Sequence, residues 1–184
     1  MILPIVAYGH PVLKKVAEPI ESDSPELQEL IDSMFETMHH ASGVGLAAPQ
    51  IGKSIRLFII DSTLMLDEES EEEGLREVFI NARVIEETGT EWTYEEGCLS
   101  IPEIRENVDR PPRITLRYLD REFREHERSF TGITARVIQH EYDHIEGVLF
   151  TDHIAPLRKR MLKGKLRKIS QGRVDPGYRM VLPK

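Results

Sequence analysis

Apolar side chains recur at Leu27, Leu30, Ile31, Met34, Phe35 and Met38, which is the i, i+3, i+4, i+7, i+8, i+11 spacing of one helix face. Ser24 and Pro25 supply a cap and a first helical position ahead of this run, so an amphipathic helix is predicted, stopping near Gly43. Segments 55–60, 78–85, 90–95, 113–119 and 122–130 instead carry β-branched and aromatic residues and are predicted as strands, with Asp120-Arg121 able to turn a hairpin. A second helix is predicted from Ile133 to Ile145, closed by Gly147. Strands grouped between helices indicate an α+β fold with mixed, mostly antiparallel sheets packed around that second helix.

Composition narrows the class. With 184 residues, 40% apolar and 30% charged, the chain suits one globular domain over 1–184 and falls outside the disordered, collagen-like and membrane classes. The opening MILPIVAYGHPVLKK lacks the basic start and long apolar run of a signal peptide, and the single cysteine, Cys98, cannot form an internal disulfide, so a cytoplasmic protein is expected. Net charge is −8, unevenly spread. Seven acids between Asp67 and Glu77 read as a solvated loop, an insertion away from any chemistry. From Pro156 to Arg173 there are eight basic residues and no acid, which leaves −16 on the rest of the chain. Residues 155–184 are therefore predicted as a basic tail carrying a C-terminal basic helix. The ordinary role of such a helix is a solvated face, and the sharper one is docking on an acidic partner such as ribosomal RNA.

The second helix contains His140-Glu141-Tyr142-Asp143-His144, an H-E-x-x-H motif. Helical positions four apart lie about 40° apart, so both imidazoles can reach one metal ion. Ile133 and Val137 share that face, which turns the histidines inward to an apolar pocket. Glu141 sits about 100° round from His140, where acid/base work on a water is its natural role. By chance such a motif is expected about 0.03 times in a chain of this composition, so two merely structural histidines are the weaker reading. Flanking residues exclude two metallopeptidase patterns. Position 150 is Phe where a third histidine would stand, and Glu146 is the last glutamate in the chain. A third ligand then comes from upstream, where Cys98 is the only thiol. Buried, inert packing is the usual fate of a cysteine, but beside a two-histidine site coordination gains weight. One thiolate and two imidazoles would leave a fourth position for water, the open arrangement of a catalytic site. The segment Gly43-Val44-Gly45-Leu46-Ala47-Ala48-Pro49-Gln50-Ile51-Gly52 has side chains small enough for an extended substrate to approach its backbone, though a tight buried loop has the same composition. Gln50 needs a hydrogen-bond partner there, and stabilising an oxyanion is one available task.

Together GVGLAAPQIG, EGCLS and QHEYDH, in this order, resemble the three signature motifs of peptide deformylase, and the similarity extends from YGHPVLKK to about Asp152. The resemblance implies removal of formate from N-formylmethionyl nascent peptides. It implies that Cys98, His140 and His144 bind the metal, Glu141 shuttles the proton, and Gln50 with the Leu99 N–H holds the oxyanion. Gly45 and Gly97 would contact the peptide backbone. It also implies Fe²⁺, with Zn²⁺ or Ni²⁺ able to substitute. Ile133, Val137 and Tyr94 are expected to wall a methionine pocket, although ordinary core packing suits them equally. Arg105 is expected to pair with substrate backbone or carboxylate, against the commoner role of a surface arginine. The remaining histidines at 10, 39, 40, 126 and 153 are expected near the surface or in structural roles. The expected partners are nascent peptides and, through the tail, the ribosome, with no DNA and no membrane, the protein acting as a monomer. Two alternatives stay open: an H-E-x-x-H metallopeptidase, and a non-catalytic binding module whose metal shell is closed by a further side chain.

Overall fold

The computed structural model describes residues 1–66 and 69–184. Its centre is a five-stranded sheet in the order β2 (Gly45–Ala47), β3 (Leu57–Asp61), β4 (Arg76–Thr88), β7 (Arg113–Leu119) and β8 (Glu125–Thr131), with every neighbouring pair antiparallel. The unbroken apolar run of β3 is explained by burial on both faces. Phe58 and Ile60 face α2 (Gly132–Ile145), whereas Leu57 and Ile59 face α1 (Pro25–His40). Helix α1 begins at Ser24, whose side chain accepts the Leu27 N–H, and it buries Leu27, Ile31, Met34, Phe35 and Met38.

A separate hairpin joins β5 (Trp92–Cys98) to β6 (Ile101–Arg110), with Cys98 opposite Ile101 and Leu99-Ser100 as the two turn residues. Its apolar side, Ile101, Ile104 and Val108, packs on Leu162, Leu166 and Ile169 of α3 (Pro156–Ser170). The chain closes with β9 (Met180–Val181) pairing in parallel with β1 (Ile5–Val6). Among the described residues no helix is long and apolar enough to cross a membrane.

Three sequence expectations need correction. The strand predicted over 90–95 runs instead from Trp92 to Cys98, past 95 to the register shift at Gly97/Cys98, so Cys98 is its last residue. Strand β6 was not anticipated at all. The acidic stretch 67–77 is not simply a solvated loop: Asp67 and Glu68 lie outside the described residues, Glu72 accepts the Ile133 N–H at 2.9 Å at the start of α2, and Glu77 belongs to β4. Four of the histidines outside the motif have structural partners. His10 caps a short 3-10 turn, and His39, His126 and His153 pair with Asp61, Asp120 and Asp143.

Candidate metal centre and active site

Helix α2 delivers Val137, His140, Glu141 and His144, all buried, beneath the β5–β6 hairpin. Strand alternation puts Glu96 and Cys98 on one face of β5, and that face meets the helix. One ligand atom from each of Cys98, His140 and His144 falls within 4.8 Å of the others, and Cys98 Sγ lies 3.3 Å from His144 Nε2. The donor set fits a divalent transition metal. Glu96 Oε1 occupies His140 Nδ1 at 2.9 Å, which leaves Nε2 to bind an ion, and one thiol with two imidazoles is the soft-to-borderline set that Fe²⁺, Zn²⁺ and Ni²⁺ accept. The two rings are not equivalent. Burial opposes charge on both, yet the bonds of His140 to Cys98 and Glu96 outweigh it and raise that pKa, whereas His144, with burial and the His140 charge against it, is pushed well below the ordinary value.

Behind His140 lies an ionic cluster that sequence reasoning missed. Arg110 clamps Glu96 with two bonds of 2.7 and 3.0 Å, Arg136 adds a third at 2.9 Å, and Arg110 also reaches Asp143 at 2.9 Å. Burial opposes the Glu96 charge, but hydrogen bonds from His140 and Arg110 overcome it and hold the carboxyl far below the usual range. The signal was available: Glu96 stands two residues before Cys98 in a strand, and Arg136 four before His140 in a helix, so each shares its ligand's face.

Glu141 is 4% exposed, its Oε2 has no hydrogen-bond partner among the described residues, and burial pushes its carboxyl up to about 7. Its carboxylate is packed against Gly45 on β2, so closely that a Cβ there would have to displace it. Gln50 is equally buried. Its Oε1 accepts the Ala47 N–H at 2.9 Å, so its amide nitrogen faces Ser100 Oγ at 3.3 Å and Cys98 Sγ at 3.4 Å.

These groups open onto a cleft of about 620 Å³ lined by Gly45, Gln50, Tyr94, Gly97, Cys98, Leu99, Arg105, Val137, His140 and Glu141, among others. Ile133 does not reach it. That residue sits near the start of α2, packed against the core around Phe79, because it lies a full turn before Val137. Arg105 crosses Gly97 at the rim and bonds Glu95 at 2.8 Å, in an exposed pair worth little by itself.

Two buried histidines on an H-E-x-x-H helix, a half-buried cysteine facing them from β5 and an unpartnered carboxylate beside them in an open cleft define a metal-dependent hydrolase. Comparison with known proteins takes this further. A family model described as polypeptide deformylase matches residues 2–160, and the chain belongs to that family. It is 54% identical over 190 residues to a peptide deformylase of Christiangramia forsetii, covering 100% of this chain and 97% of the relative. A Cytophaga hutchinsonii peptide deformylase is 55% identical over 183 residues, covering 100% and 98%. The crystal structure of a Legionella pneumophila peptide deformylase superposes with a TM-score of 0.82 at 39% identity, covering 94% of this chain and 98% of that one.

Proposed function

We propose that Glu141, together with a divalent ion held by Cys98, His140 and His144, carries out the family's reaction in this cleft: removal of the formyl group, as formate, from the N-terminal N-formylmethionine of newly made chains. The observation that carries this reading is the convergence of three ligand atoms, with Cys98, His140 and the Glu141 carboxylate lining a single cleft. We infer Fe²⁺ as the cellular ion, with Zn²⁺ or Ni²⁺ able to replace it, and one domain over 1–184 that includes the basic tail. When bound, the ion supplies Lewis acidity toward water and the formyl carbonyl.

The protein groups do the rest. A carboxyl poised near 7 exchanges protons readily at neutral pH, so Glu141 takes a proton from the attacking water and gives it to the departing amine. Gln50 Nε2 and the Leu99 N–H bind the oxygen that gains charge as the formyl carbon becomes tetrahedral. The peptide lies extended between Gly45, on the edge strand of the central sheet, and Gly97 on β5. Val137 and Tyr94 wall the methionine side chain, and Arg105 contacts the chain beyond it. Anaerobically purified, iron-loaded protein should release formate from a formyl-Met peptide. No release with stoichiometric Fe²⁺ bound refutes the reading.

We read the protein as a cytoplasmic monomer, and α3 as a ribosome-docking helix, supported by its exposed Arg160, Lys163, Lys165, Arg167 and Lys168. Cutting the chain at Ile154 would not test this, because Leu162, Leu166 and Ile169 belong to the core. Replacing Arg160, Lys163 and Lys168 by Glu should weaken ribosome binding and flatten its salt dependence, and unchanged binding would remove the docking role.

A further inference from the structure

Tyr178 stands outside the 2–160 segment matched by the family model, yet its side chain reaches the reacting end of the cleft. After α3 the chain turns at Asp175, whose Oδ1 accepts the Gly177 N–H at 3.3 Å, and Gly177 adopts a left-handed φ of 79°. Beyond it β9 is fixed to β1 on both sides, by Ile5 N–H to the Arg179 carbonyl at 2.9 Å and Ala7 N–H to the Val181 carbonyl at 2.8 Å. Between turn and strand the half-buried Tyr178 points inward, and its hydroxyl donates to the Leu99 carbonyl at 2.7 Å. The next carbonyl, Ser100, accepts the Tyr8 N–H at 2.9 Å, and Ser100 Oγ meets Gln50 Nε2 at 3.3 Å. The two turn residues of the β5–β6 hairpin are thus held from outside the hairpin, one by Tyr178 and the other by Tyr8.

We infer that Tyr178 is a positioning residue for the reaction: its hydroxyl fixes the Leu99 turn so that the Leu99 N–H stays aimed at the forming oxyanion. This deepens the reading given above and rests on its assignment of Leu99 as an oxyanion donor. The physical reason is preorganisation. A backbone donor stabilises developing charge only if it is already aimed, and a two-residue turn relieved of one anchor can rock by enough to misaim it. A tyrosine that merely tethers the tail would act on stability and leave the chemical step alone.

The test is Tyr178→Phe in the full, iron-loaded chain, which keeps the ring and removes one oxygen. Its kcat on a formyl-Met peptide should fall roughly five- to thirty-fold, less than the ~10²–10³ lost when an oxyanion donor is deleted outright. KM and iron content should stay within about twofold of the parent. A control, Met180→Ala, removes a β9 side chain that packs on the core beside α3, away from Leu99, and should lower Tm while kcat holds. The inference is overturned if Y178F keeps kcat within about twofold, if the loss appears in KM alone, or if M180A slows kcat as much at an equal loss of Tm. An unmutated protein that releases no formate would instead sink the reading of the whole site, and the inference with it.

Discussion

Gly45→Ala adds one carbon where the structure has no room for it. A Cβ at that position would lie 2.4 Å from Glu141 Oε1 and 2.7 Å from its Cδ and Cγ, inside any distance that real contacts reach. One partner must retreat by about 0.5 Å or more, and it cannot be the strand. Gly45, Leu46 and Ala47 pair with Ile60, Ile59 and Phe58, and all of these apolar side chains are fully buried. The backbone of α2 is equally fixed beneath the sheet, so the Glu141 side chain rotates away and carries its carboxylate off by about 1 Å. A displacement of that size at a proton-transferring group costs about 10² in rate, and the overpacking costs about 1–3 kcal/mol of stability. Formate release by metal-loaded G45A, read beside its thermal unfolding, should show kcat about 100-fold down with full metal content. Gly164→Ala is the matching control. Among the described residues nothing lies within 4 Å of a Cβ there, so this substitution in the interior of α3 should gain about 0.5–1 kcal/mol and leave kcat alone. A folded G45A that turns over within about threefold of the parent, or that loses only KM, would refute the clash argument.

Glu141→Gln keeps the shape of the side chain and removes its basicity, so metal content and Tm should hold while turnover falls by about 10²–10⁴, measured as formate release under saturating substrate. Glu96→Gln removes the charge that orients His140, and competition with a chelator should show metal affinity down about 10–100-fold. Glu96→Ala is harsher. It strips the carboxylate from Arg110 and Arg136 and should cost about 3–5 kcal/mol in denaturant unfolding, with wild-type stability the disproving result. Asp152 resists protonation despite partial desolvation, because Lys14, Lys159 and the Leu149 N–H hold its carboxyl at about 2, against an ordinary value near 3.8. Its pairing therefore stabilises the fold fully above pH ~4 and is lost as pH falls through ~2. At pH 7, Asp152→Asn should cost about 1 kcal/mol, less than the full shift implies because solvent screens this exposed residue and its lysines, and the gap should close between pH ~4 and ~2, which a pH-independent difference would contradict.

What was legible in the sequence is what local periodicity encodes. The 3.6-residue repeat after Ser24 marks α1, and H-E-x-x-H on a helix announces two histidines on one face, because both facts follow from positions three and four apart. Strand β6 escaped because its period is broken. Pro102 reads as a strand breaker, tolerated here because the β5–β6 sheet has only two strands, and Glu103 takes a left-handed φ of 65° that shifts the alternation of Ile101, Ile104 and Val108. Buried ionic groups escaped for a different reason. Glu96, Arg110 and Arg136 look like solvated charges until three elements distant in sequence are brought together, and only then does each acquire the partner that makes its burial tolerable. The same applies to Tyr178, whose single useful bond spans 79 residues. The chemistry of the site is thus written locally in short motifs, whereas the precision of its geometry comes from long-range contacts. Variants of the second kind, such as E96Q and Y178F, should keep the reacting groups and still lose rate or metal affinity.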